Sequence, residues 1–120
     1  MKYKFWGKVR RGKARGKSLG FPTANIALHK PISEGIYISK TRIYGVWMAS
    51  VTFIGKAKTF HETVYQSETY ILHYNKQIYG IWITNLLLKK IRGNQAFKSP
   101  TDLVRQIKAD VKMTRKYFKE

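Results

Sequence analysis

Cysteine is missing from this chain altogether, which excludes disulfides and thiolate metal sites and leaves the redox compartment open. Acidic residues are scarce, six against 24 lysines and arginines, so the formal net charge is +18. The three histidines, His29, His61 and His73, form no His-x-x-x-His pattern and no cluster with carboxylates, which argues against a transition-metal centre. No apolar run approaches the length of a membrane span. The segment from Met1 to Gly7 lacks the apolar region of a secretory signal, so a cytoplasmic location with no membrane contact is the expectation. With only three prolines, no repeat and no low-complexity stretch, nothing marks an interdomain linker.

What is present fits one globular domain. A chain of 120 residues buries a real core without staples, and 43% hydrophobic with 14% aromatic content is not that of a disordered chain. The charge attracts polyanions without defining a fold; nucleic acid, an anionic membrane and nucleotide phosphates all fit it. Tyr3 to Val9, Ile36 to Ile38, Tyr44 to Ile54 and Ser67 to Tyr74 read as strands, rich in β-branched and aromatic residues. Ile81 to Leu88 is nearly continuously apolar and predicts a fully buried strand. Asn75-Lys76-Gln77 predicts a hairpin joining the last two strands. Short strands in succession with no helix between them predict a small closed antiparallel barrel of Greek-key type, over about residues 1–92. The period then changes. Ser99-Pro100-Thr101-Asp102 is a helix start with cap, proline and first-turn acid. Val104, Ile107, Val111 and Phe118 form one apolar stripe of a C-terminal helix over about 100–118.

The densest chemistry lies near the N-terminus, in Gly7-Lys8-Val9-Arg10-Arg11-Gly12-Lys13-Ala14-Arg15-Gly16-Lys17-Ser18-Leu19-Gly20-Phe21-Pro22-Thr23-Ala24-Asn25. Glycines allow close backbone approach, successive N–H groups form an anion-binding concavity, and the lysines and arginines add charge for phosphate oxygens. Thr23 and Asn25 offer two neutral oxygen ligands on one face of an extended segment, a donor type that suits Mg²⁺ with phosphates completing its shell. The run is not a Walker A loop, because no glycine precedes Gly16-Lys17-Ser18 at the required spacing. On composition alone a solvated basic turn is the competing reading.

With Gly7-x-Val9-x-x-Gly12, Gly16 and Leu19-Gly20-Phe21-Pro22-Thr23-Ala24-Asn25, the chain resembles the riboflavin kinase family. Pro31-x-x-x-Gly35-Ile36-Tyr37, Ser67 to Tyr74, Ile78-Tyr79-Gly80, Ile91-Arg92 and Phe97 extend the likeness over essentially the whole chain. The resemblance implies Mg²⁺–ATP-dependent phosphorylation of the riboflavin 5′-hydroxyl to FMN. It implies that Gly12, Gly16 and Lys17 hold ATP phosphates, that Thr23 and Asn25 hold nucleotide and Mg²⁺, and that Glu68 is the general base. It places Arg92, with Phe97 beside it, at the flavin end. Where many members carry an acid soon after that arginine, this chain reads Arg92-Gly93-Asn94-Gln95.

In many bacteria this module follows an FMN adenylyltransferase domain with a His-x-Gly-His type site. None of the three histidines has that context, so the chain alone is expected to make FMN and not FAD. ATP and riboflavin are then its partners, with nucleic acid held only through nonspecific charge, and a monomer is expected. The alternative from a different class is a non-catalytic basic barrel that binds RNA or another polyanion.

Overall fold

The computed structural model describes residues 3–10, 20–28, 31–56, 65–74 and 76–120. Six strands precede one helix: β1 (Tyr3–Lys8), β2 (Ala24–Ile26), β3 (Gly35–Ile43), β4 (Val46–Gly55), β5 (Gln66–Ile71), β6 (Trp82–Arg92) and α1 (Pro100–Tyr117). All pairings are antiparallel, in the order β1-β6-β3-β4-β5-β2. The β3-β4-β5 meander with β6 returned beside β3 is the Greek-key arrangement. The sheet curls into a half-barrel whose edges meet at one bridge, where the Arg10 amide donates to the Asn25 carbonyl at 3.0 Å. Glycine is required at position 7 on this seam: a Cβ there would stand 2.1 Å from Ile26 Cγ2.

Strands β3 and β4 are joined by a two-residue turn. Tyr44 and Gly45 have φ of 49° and 80°, the left-handed pair that matches the twist of a tight hairpin. Strands β5 and β6, by contrast, are not neighbours, so the segment from Leu72 to Ile81 is no hairpin. It crosses the barrel end, where the Val9 amide donates to the Ile81 carbonyl and the Gly80 amide to the Val9 carbonyl. Asn75 itself lies outside the described residues.

The interior is layered. Phe5, Val9, Ile26, Ile43, Ile54, Ile83 and Leu87 belong to its apolar part. Across the middle runs a fully buried polar belt. Ser39 bonds to Ser50 and Thr52, Thr41 bonds to Ser50 and donates to Asn85, Thr52 meets Thr69, and Asn85 Nδ2 donates to Thr69. These mutual bonds remove the desolvation cost that such groups otherwise carry.

The outer face is apolar where the helix covers it. Ile107 and Val111 of α1 lie over Ile36, Val51, Phe53, Tyr70 and Leu72, and burying Val111 alone stabilises by roughly 2 kcal/mol. The helix starts as the sequence predicts, with Ser99 Oγ accepting from the Asp102 amide at 3.2 Å and Pro100 in the first turn. Strand β6 departs from prediction. Only its inward residues Ile83, Asn85 and Leu87 are buried, because no element covers its outer side near Trp82.

Candidate active site

One transverse row of residues crosses the outer face. Arg92 faces Ile36, Ile36 faces Phe53, Phe53 faces Glu68, and Glu68 faces Asn25, which bridges to Arg10. Directly opposed residues share a face, and neighbouring strands lie about 4.8 Å apart, so Arg92 and Asn25 mark the ends of a track about 19 Å long along the sheet.

The first end gathers three of the residues singled out from sequence. Thr23 leads into β2, Asn25 sits at its centre, and Glu68 stands opposite Asn25 on β5. The Thr23 hydroxyl donates to Glu68 Oε1 at 3.4 Å. Asn25 is only 4% exposed, and its Oδ1 has no hydrogen-bond partner among the described residues. A buried amide oxygen left this way costs stability unless something meets it. A hydroxyl, an amide oxygen and a carboxylate are hard oxygen donors, the set that fits Mg²⁺. Among the described residues no group of three or more His, Cys, Asp or Glu side chains gathers to hold a metal. Beside Glu68, Phe21 and Tyr70 meet edge to face with centroids 5.2 Å apart, giving this end an aromatic wall. Gly20 enters the segment with φ of 93°, a conformation that favours glycine. Gly12, Gly16 and Lys17 lie outside the described residues, as do His29 and His61.

At the far end Arg92 and Phe97 come together, with the guanidinium carbon 5.7 Å from the ring centroid. Arg92 is also held by Asp110 of α1. Its Nε donates to Oδ1 at 3.1 Å and to Oδ2 at 3.2 Å, and its Nη2 donates to Oδ2 at 2.8 Å. Gln106 Nε2 adds a bond to Asp110 Oδ1 at 3.0 Å. The acid that does not follow Arg92 in sequence thus arrives from the helix. Sequence reasoning missed Asp110, although a signal existed: it is an acid adjoining Val111 on the buried stripe, one turn before the buried Thr114.

His73 does not lie on the strand. Strand β5 ends at Ile71, and His73 occupies a turn with φ of 60°. Its Nε2 stands 2.7 Å from Glu120 Oε1, which ties the chain terminus to the barrel rather than serving the site.

A family model described as Flavokinase, riboflavin kinase, matches residues 1–118. The bifunctional riboflavin kinase/FMN adenylyltransferase of Haemophilus influenzae is 33% identical over 119 residues, covering 97% of this chain and 39% of that protein. This chain therefore spans well under half the length of that relative. The riboflavin kinase from Trypanosoma brucei superposes with a TM-score of 0.68 at 26% identity, covering 99% of this chain and 81% of that one. A crystal structure described as a macrolide-efflux protein from Streptococcus pneumoniae superposes with a TM-score of 0.82 at 33% identity, covering 93% of this chain and 38% of that one. No described helix here is long and apolar enough to cross a membrane.

Proposed function

This chain belongs to the riboflavin kinase family, and we propose that it transfers the γ-phosphoryl group of ATP to the 5′-hydroxyl of riboflavin, giving FMN and ADP. The observation that carries the proposal is the direct opposition of Asn25 and Glu68, with Thr23 bonded to the same carboxylate. It sets cation ligands beside a proton acceptor, and phosphoryl transfer depends chiefly on positioning and charge neutralisation.

In this reading the ribityl oxygen attacks the γ-phosphorus as the bond to the β-phosphate bridging oxygen breaks. The hydroxyl proton passes to the Glu68 carboxylate, and ADP departs. Thr23 Oγ1 and Asn25 Oδ1 would hold Mg²⁺, which when bound neutralises phosphate charge. Gly12, Gly16 and Lys17 are assigned to the ATP phosphates through the family likeness. Arg92 and Phe97 form the flavin end, and Asp110 fixes the arginine there. The protein acts as a monomer in the cytoplasm. The non-catalytic polyanion binder is not favoured, because the riboflavin kinase model matches residues 1–118.

The test is chromatographic detection of FMN from riboflavin, Mg²⁺ and ATP, for wild type and Glu68→Gln. Wild type should form FMN, and the variant should be slower by about 100-fold or more, as loss of a general base requires. No FMN from wild type, or equal rates for both proteins, would overturn the proposal.

A further inference from the structure

The helix covers only part of the outer face. Beyond Ile38, the outward positions of β1, β6, β3 and β4 are exposed or half-buried, and the register sets them in rows. Trp6 faces Thr84, Thr84 faces Arg42, and Arg42 faces Trp47. In the row beyond, Lys8 faces Trp82, and in the row toward the helix Lys40 lies between Leu86 and Ala49. All three tryptophans of the chain therefore stand on one face, with Trp6 57%, Trp47 41% and Trp82 64% exposed. Tryptophan is an expensive residue to leave in water, and a cluster of them on a surface marks a contact site. The four strands contain no acidic residue.

We infer that this face is a platform for single-stranded nucleic acid, in addition to the proposed kinase activity and independent of it. Indole rings stack on bases of any sequence, and the cations between them take the phosphates. Four-stranded antiparallel sheets that present aromatic residues bind RNA in this manner. Trp6 and Trp82 are diagonal neighbours across the β1–β6 pair, with backbones about 7–8 Å apart, so each can receive one base. The interleaving argues against a bilayer. Sinking the indoles into hydrocarbon would drag in Arg42, which lies between Thr84 and Trp47, and Lys8, opposite Trp82, at the cost of burying charge. A single strand alternates base and phosphate as this surface alternates ring and cation.

The platform is also distinct from the transverse row. Arg42 lies six residues along β3 from Ile36, and Trp47 six residues along β4 from Phe53, a separation of about 20 Å at strand rise. Nucleotide and nucleic acid can therefore bind together.

The test is a titration of the wild-type chain with a short mixed-sequence single-stranded RNA, read by tryptophan fluorescence at several salt concentrations. Quenching is expected. Trp47→Ala and Trp82→Ala should each weaken binding about tenfold. Arg42→Gln should lower the slope of log affinity against log salt by about 0.7. The rate of FMN formation should not change in any of the three. Affinity untouched by the tryptophan variants but lowered by Arg42→Gln would reduce the platform to nonspecific charge and overturn the inference. So would a fluorescence shift with phosphatidylserine-containing vesicles and none with RNA, which would make the face a bilayer contact. If a variant fails to fold, as circular dichroism would reveal, the wild-type titration still decides. Every tryptophan lies on this face, so RNA binding without quenching overturns the inference.

Discussion

Asp110 and Arg92, eighteen residues apart in sequence, close a two-pronged ion pair between the helix and the end of β6. The pair is nearly sealed from solvent, with Arg92 lying over Phe97 on its other side. Removing one partner strands the other charge in a poorly hydrated place. Asp110→Ala should therefore destabilise the fold by about 3 kcal/mol. Thermal melting of Asp110→Ala, Arg92→Ala and the double variant measures the coupling, and the double variant should be less unstable than the sum of the single ones.

Asn25 predicts a trade between stability and activity. Its buried Oδ1 has no hydrogen-bond partner among the described residues, a debt of about 1–3 kcal/mol. Asn25→Leu keeps the shape and removes the polar atom. Urea unfolding should show a gain of about 1 kcal/mol, while FMN formation drops about 100-fold as a site donor is lost. Reduced stability with unchanged turnover would remove Asn25 from the site.

Those two residues illustrate what the sequence reveals and what it hides. Thr23, Asn25 and Glu68 were legible because a local motif and a strand carry them, and extended chains display alternate residues on one face. Asp110 was not, because a carboxylate on a buried stripe has meaning only once β6 supplies its arginine. The middle of β3 and β4 misleads in a different way. Ser39, Thr41, Ser50 and Thr52 are polar, yet they point inward and bond to one another. The outward residues near the helix are instead apolar, because α1 lies over them. Hydropathy alternation marks the buried side only when one side is wet, and here both are partly covered. The expected β5–β6 hairpin fails on topology, since turn residues between two strands do not require that the strands be neighbours.

The β3–β4 turn stores correctable strain. Tyr44 holds φ at 49° while 75% exposed, and a bulky residue in the left-handed region costs about 1 kcal/mol or more. Tyr44→Asn should raise stability by about 1 kcal/mol. Differential scanning calorimetry would register this as a higher melting temperature, with FMN formation unaltered.

Alkaline pH should find Tyr37. Burial, the largest influence, pushes its hydroxyl above the ordinary 10.0, a hydrogen bond with the Ser33 side chain offsets part of that, and the nearby Tyr3 adds to the rise. A raised folded-state value means stability that is fully present below the ordinary tyrosine value and lost as pH climbs through the folded one. Urea unfolding at rising pH should thus show wild type losing stability faster than Tyr37→Phe above 10.0. Parallel decline of the two proteins would assign no such role to the phenol.

Strand β2 is three residues long, forms one edge of the sheet, and carries Asn25. Its ladder to β5 is the shortest in the fold as described, and its other side is held by the bridge to Arg10. Segments held by so few bonds open well before a whole domain does. The half of the site that would hold the cation is therefore fastened to the most easily detached piece of the sheet. Mild heat or denaturant would silence such a protein while its circular dichroism still looked native, and the loss would reverse as soon as three residues zipped back.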